Sequence, residues 1–300
     1  MNNPRFEGIF PPVVTPLDEH ERIDEQGFVT QLNRLIDNGV HGIYLLGTSG
    51  EFVSLTNEER TRAIEIALSA VNGRVPIICG CMDSSTKRVI KNIETAQELG
   101  VKAIATTPPY YYPPHSDADI MAFYKSIAAS TDLPVVIYNI PQTTKVAIPP
   151  EVVRQLNESV DNIAGIKDST GDWTNFLNLL AYLGDSDKFS ILLGSYTVGG
   201  AAIMLGAEGA VMSIANVDPK TPVQLYEAAR QGRIAEVKRL QLKLLSLGKL
   251  YSYGTPASCL KTCLELMGVC RAYTTSPIMP VSESGREELR RLLKEHGLIR

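Results

Sequence analysis

The 300-residue sequence predicts an α/β fold, a (β/α)8 TIM barrel with a C-terminal helical extension. Three observations carry this. Short apolar runs rich in β-branched residues recur roughly every 25 to 35 residues, each followed by an amphipathic stretch, which is the signature of repeated βα units. Eight such runs can be counted. No G-x-G-x-x-G follows the first of them, which disfavours a doubly wound open sheet.

In chain order the strand candidates are 8–14, 42–46, 75–79, 102–106, 135–138, 163–166, 190–193 and 209–213. Between them, 24–38, 56–71, 85–99, 117–130 and 151–156 place apolar residues at helical spacing. Thr56 followed three residues later by Glu59 reads as a capping box, while Asn38-Gly39 and Leu99-Gly100 read as helix stops. Beyond the eighth run, 221–250, 256–267 and 283–296 are helical with no strand candidate between them. The break near Gly232 and the prolines Pro277 and Pro280 mark the turns. The expected division is therefore a catalytic barrel over 1–220 and a helical extension over 221–300, serving packing or subunit contact.

Bulk composition narrows the function. Hydrophobic residues make up 44% and charged residues 21%, ordinary for a globular chain able to bury a large core. Net charge is −4 without blocks of either sign, so no nucleic-acid partner is expected, because phosphate binding needs a clustered basic face. No signal segment or membrane-length apolar run is evident, which predicts a cytoplasmic, soluble protein without a membrane partner. Cys79, Cys81, Cys259, Cys263 and Cys270 read as reduced thiols. The Cys79-x-Cys81 spacing lacks a second pair or a histidine cluster, with only His20, His41, His115 and His296 in the chain, so no metal site is expected.

In such a barrel the functional side chains stand at the C-terminal ends of strands. The sixth run ends Gly165-Ile166-Lys167-Asp168, placing an amine inside the barrel mouth, where lost hydration lowers its pKa and makes it a nucleophile toward carbonyls. The alternative is a structural ion pair with Asp168 or Glu51. The fifth run ends Tyr138-Asn139-Ile140-Pro141, one strand away, and its phenol could move protons or simply bond a neighbour. The second runs into Gly47-Thr48-Ser49-Gly50-Glu51, whose hydroxyls and N–H groups could hold a carboxylate, although such a turn is frequent in βα loops. After the seventh, Gly194-Ser195-Tyr196 and Gly199-Gly200 could take a phosphate, but with no basic residue nearby close helix packing is the better explanation.

Together these segments resemble the dihydrodipicolinate synthase and N-acetylneuraminate lyase family of class I aldolases. Gly47-Thr48-Ser49-Gly50-Glu51 is similar to its G-[ST]-[ST]-G-E, Tyr138-Asn139-Ile140-Pro141 to its Y-N-x-P, and Gly165-Ile166-Lys167-Asp168-Ser169 to its G-[IV]-K-[DEQ]-[ST]. The resemblance implies a Schiff base between Lys167 and pyruvate, Tyr138 as the proton-transferring phenol, Thr48 as a relay hydroxyl and Ser49 as the carboxylate grip. It implies Gly194 and Val211 as the lining of the pyruvate pocket. It also implies a tyrosine reaching across a subunit interface; Tyr111 is preferred, with Tyr110 and Tyr112 open in the same run. No cofactor beyond the lysine is implied, and the partners are pyruvate, an aldehyde and further copies of the chain, as a dimer of dimers.

The acceptor aldehyde is a separate question. Synthases that condense aspartate semialdehyde resemble Y-N-x-P-x-R, whereas here the run continues Gln142-Thr143, with Lys145 as a different source of charge. Sialic acid lyases resemble a pattern with two acidic residues after the seventh-strand glycine, where this chain has Ser195 and Tyr196. Hydroxyls at Thr143, Ser195, Tyr196 and Ser169 suit a short polyol, so a 2-keto-3-deoxy sugar acid aldolase is the preferred expectation. The alternatives are 4-hydroxy-tetrahydrodipicolinate synthase, 4-hydroxy-2-oxoglutarate aldolase, N-acetylneuraminate lyase, a keto-deoxy acid dehydratase, or a keto-acid-binding regulatory module without turnover.

Overall fold

The computed structural model describes residues 4–300. Eight parallel strands form one sheet: β1 (Gly8–Ile9), β2 (Ile43–Leu45), β3 (Ile77–Gly80), β4 (Ile104–Thr106), β5 (Val135–Asn139), β6 (Ile163–Asp168), β7 (Ser190–Leu193) and β8 (Gly209–Ala210). The ladder runs β1-β8-β7-β6-β5-β4-β3-β2, and a parallel bridge between Pro12 and Tyr44 joins its two ends. The sheet curls into the predicted (β/α)8 barrel.

The first strand is shorter than the expected 8–14. Pro11 and Pro12 carry no N–H, so at these two residues the chain can only accept: the Tyr44 N–H donates to the Pro11 carbonyl at 3.0 Å. The eighth is likewise confined to Gly209–Ala210 rather than 209–213, because Ser213–Asn216 tightens into a 3-10 turn.

Helices α1 (Glu25–Asp37), α2 (Asn57–Val71), α3 (Thr86–Glu98) and α4 (Asp117–Ala129) follow the first four strands. Their starts are fixed by side-chain oxygens of Asp24, Thr56, Ser85 and Ser116 that accept from the first turn, and Thr56 with Glu59 completes the expected capping box. After β5 come a single turn, α5 (Pro141–Thr144), and α6 (Pro150–Ser159), longer than the expected 151–156; α7 (Trp173–Leu183) and α8 (Gly199–Leu205) complete the ring. Gly199 and Gly200 serve packing, since a Cβ would stand 2.2 Å from Met212 Cε at the first and 2.9 Å from Leu225 Cδ1 at the second.

The C-terminal helices are α9 (Lys220–Arg230), α10 (Ile234–Leu247), α11 (Pro256–Leu266) and α12 (Glu283–Glu295). The expected run 221–250 is thus split at Gly232, whose φ is +67°. Helix α11 packs on the 3-10 turn Thr48–Gly50, the segment carrying the motif hydroxyls. Among the described residues no helix is long and apolar enough to cross a membrane.

Candidate active site

Strand register builds the centre of the site. Between β5 and β6 the pairing starts at Val135 with Ile163, then shifts by one residue between Val135 and Val136, so that Tyr138 pairs with Lys167 and Asn139 with Asp168. Paired residues on adjacent strands project to the same face. Without that irregularity Tyr138 would oppose Ile166 and the amine would turn outward.

Alternation then separates Lys167 from Asp168. Lys167 is 3% exposed, with Nζ over the ring of Tyr138 at 3.7 Å from its centroid and over that of Tyr44 at 4.0 Å. Asp168 faces the other way, accepting from Asn139 Nδ2 at 3.2 Å, Thr170 Oγ1 at 2.8 Å and Asn175 Nδ2 at 3.2 Å. Burial raises the Asp168 pKa, against these hydrogen bonds. Glu51, the other carboxylate considered for Lys167, is committed elsewhere: its Oε1 lies 2.5 Å from Lys261 Nζ, and its Oε2 accepts from the Thr275 N–H and hydroxyl at 2.7 and 2.8 Å. The ion-pair alternative for Lys167 is therefore not realised with either carboxylate. Burial pushes its pKa below the usual lysine value, with Tyr138 partly opposing.

The hydroxyls of Tyr138 and Thr48 approach to 3.3 Å. Thr48 stands in the 3-10 turn after β2, flanked by two non-glycine residues in left-handed conformation, Leu46 at φ +51° and Glu51 at φ +56°. Such positions each cost on the order of 1 kcal/mol and persist only when their surroundings fix them. The surroundings are identifiable. The Thr15 hydroxyl donates to the Gly50 carbonyl at 2.8 Å, the Glu51–Lys261 pair holds the far end, and Gly80 lets the Leu46 carbonyl oxygen pass where a Cβ would lie 2.3 Å away.

Thr48 also opens onto a cavity of about 230 Å³ at the C-terminal mouth of the barrel. Its wall is formed by Thr48, Thr107, Thr143 and Thr144 together with Phe52, Val53 and Ile140, with Tyr110 at one side, and the Thr143 and Thr144 hydroxyls donate to the Ile140 carbonyl at 3.2 and 3.0 Å. Among the described residues no charged side chain belongs to this lining, and Lys145 Nζ instead donates to the Gln142 carbonyl at 2.8 Å. The Thr107 hydroxyl, on a residue 3% exposed, has no hydrogen-bond partner among the described residues.

The remaining sequence candidates fall into three groups. Ser49 is buried in the 3-10 turn, and Val211 is buried directly after β8 with its N–H donating to the Leu193 carbonyl at 2.8 Å. Gly194 and Ser169 touch across the ends of β7 and β6, where a Cβ on Gly194 would fall 1.8 Å from Ser169 Oγ. Ser195 turns its hydroxyl to Thr197 Oγ1 at 2.7 Å, and Tyr111 is 76% exposed, stacked edge-on with Tyr112 and outside this chain's own cavity.

Sequence reasoning passed over Tyr44, Thr107 and Lys261. Tyr44 could have been noticed as the one phenol in the otherwise aliphatic run 42–46; Lys261 carries no local signal, because its partner is 210 positions away.

The Dihydrodipicolinate synthetase family model matches residues 5–296. A 4-hydroxy-tetrahydrodipicolinate synthase of Phenylobacterium zucineum is 34% identical over 300 residues, covering 100% of both chains. One from Methanopyrus kandleri is 32% identical over 296 residues, covering 98% of each. Among solved structures, YagE of E. coli K12, a prophage protein of the dihydrodipicolinic acid synthase family in complex with pyruvate, superposes with a TM-score of 0.93 at 30% identity, over 98% of this chain and 99% of that one.

Proposed function

The chain belongs to the dihydrodipicolinate synthetase family of Schiff-base, pyruvate-dependent carbon–carbon lyases, and from that premise we propose that Lys167 is its imine-forming amine. The observation that carries the reading is a buried amine with no carboxylate partner among the described residues, in a ring-walled site one phenol away from the Thr48 hydroxyl.

In this reading the neutral Lys167 nitrogen attacks the pyruvate ketone carbon. The attacking nitrogen gives up a proton as the carbonyl oxygen takes one, and a second protonation of that oxygen releases it as water while the nitrogen lone pair closes the protonated imine. Tyr138 carries those protons, with Thr48 the next hydroxyl in line. The imine then serves as electron sink while the bond to the aldehyde forms or breaks. Ser49, Gly194 and Val211 surround the keto acid. Tyr111 would complete the relay from a second copy of the chain, in an assembly of at least two.

For the acceptor, the names of the relatives support 4-hydroxy-tetrahydrodipicolinate synthase, an alternative in the sequence analysis, over the preferred sugar acid aldolase. One observation favours the second reading. Among the described residues the cavity lining holds no cation, with Thr143 where an arginine would meet an acidic aldehyde, and this suits an uncharged aldehyde such as one released from a 2-keto-3-deoxy sugar acid.

Borohydride reduction in the presence of pyruvate tests the amine: mass spectrometry should find the adduct on Lys167, and an unmodified Lys167 would reject the assignment. Comparing aspartate semialdehyde with glyceraldehyde as acceptors for pyruvate separates the two substrate readings by which supports turnover.

A further inference from the structure

The aromatic floor under Lys167 is left unexplained by proton transfer. Tyr44 stands on β2, across the barrel from β6, fully buried, with its ring face 4.0 Å from Lys167 Nζ and its ring edge-on to Tyr138 at 5.9 Å between centroids. Its hydroxyl has no hydrogen-bond partner among the described residues. What Tyr44 offers the nitrogen is therefore its π face and not its O–H.

A π face attracts a cation but not a neutral amine. The nitrogen of Lys167 is cationic both as ammonium and as the protonated imine that must act as electron sink, yet it is taken out of water with no carboxylate among the described residues paired to it. We infer that Tyr44 is a further catalytic residue of this site, its ring face stabilising the positive charge on the Lys167 nitrogen. The inference rests on the reading of Lys167 as the imine-forming amine.

Few other titratable groups face this centre. Tyr138 approaches the nitrogen from β5; Tyr44 itself is neighboured by Cys79 and Cys81 from β3 and its end and by Tyr124 from α4. Asp168 faces away from the amine, and Glu51 is bound to Lys261. Removing the face should thus act on the lysine directly: the cation loses stabilisation, the amine deprotonates at lower pH, and the rise of imine formation with pH moves toward acid.

The experiment measures the initial rate of adduct formation on Lys167 with pyruvate and cyanoborohydride across pH, by mass spectrometry, for wild type, Tyr44→Phe and Tyr44→Leu in the full chain. Tyr44→Met serves in place of the leucine variant if thermal unfolding shows the latter misfolded. The leucine or methionine variant should displace the midpoint by about one pH unit to acid, while phenylalanine, which keeps the face, stays at the wild-type position. Coincident midpoints in leucine and wild type overturn the inference, as does an equal shift in phenylalanine, which would assign the effect to the hydroxyl. Absence of any wild-type adduct on Lys167 would instead reject the amine assignment beneath it.

Discussion

Glu51 Oε1 and Lys261 Nζ lie 2.5 Å apart with side chains 1% and 0% exposed, tying the Gly47-Thr48-Ser49-Gly50-Glu51 loop to helix α11 of the C-terminal extension. The extension therefore bears on the candidate site through a buried ion pair, as well as through packing. Removing one partner of such a pair leaves an uncompensated buried charge, which costs about 3–5 kcal/mol. Glu51→Leu is expected to lose stability on that scale in urea unfolding, and Glu51→Leu with Lys261→Leu to recover much of it. If the single and double variants unfold alike, the pair does not hold the loop.

Lys167 carries a stability cost of its own. Burial lowers its folded pKa below the unfolded value of 10.5, so the unfolded chain holds more protons between the two values and stability rises with pH across that window. The penalty is complete below the folded pKa and gone above about 10.5. Lys167→Met should consequently melt higher than wild type at neutral pH, with the gap closing as pH climbs toward 10. Melting curves at several pH values check this; a gap that widens with pH would contradict the burial argument.

Tyr138→Phe removes one hydroxyl and keeps the ring beside Lys167 Nζ. Because the hydroxyl gives up a 3.3 Å approach to Thr48 and its hydrogen bond with the Lys167 amine, stability should fall by no more than about 1–2 kcal/mol. Turnover should fall by about 10²- to 10⁴-fold if the phenol transfers protons. Steady-state kinetics beside a denaturation curve separates the two effects, and undiminished turnover would remove Tyr138 from the relay.

Thr143→Arg would place a bidentate cation on a cavity wall that carries no charged side chain. A gain of about 2 kcal/mol corresponds to about 30-fold in kcat/KM for an acidic aldehyde relative to glyceraldehyde. Competition between the two aldehydes reads the ratio directly. No change would mean that position 143 does not meet the acceptor.

The barrel and the three motifs were legible in the sequence because both are local. A βα unit announces itself through the periodicity of apolar residues within one segment, and Lys167, Tyr138 and Thr48 each close an apolar strand run where a barrel puts its chemistry. The boundaries of β1 and β8 were overestimated because an apolar run says where a strand can extend, while Pro11, Pro12 and the turn at Ser213 decide where the ladder stops.

What the tertiary structure alone decided is which of these residues meet. The one-residue shift between Val135 and Val136 brings Tyr138 beside Lys167 instead of Ile166, although nothing in either strand's own pattern specifies it. The same is true of the Tyr44 ring under the amine and of Lys261 beneath Glu51. Composition and periodicity fix what each segment can be, because they act between near neighbours. Register, ring contact and charge pairing act between segments far apart in the chain, and only closure of the barrel sets those distances.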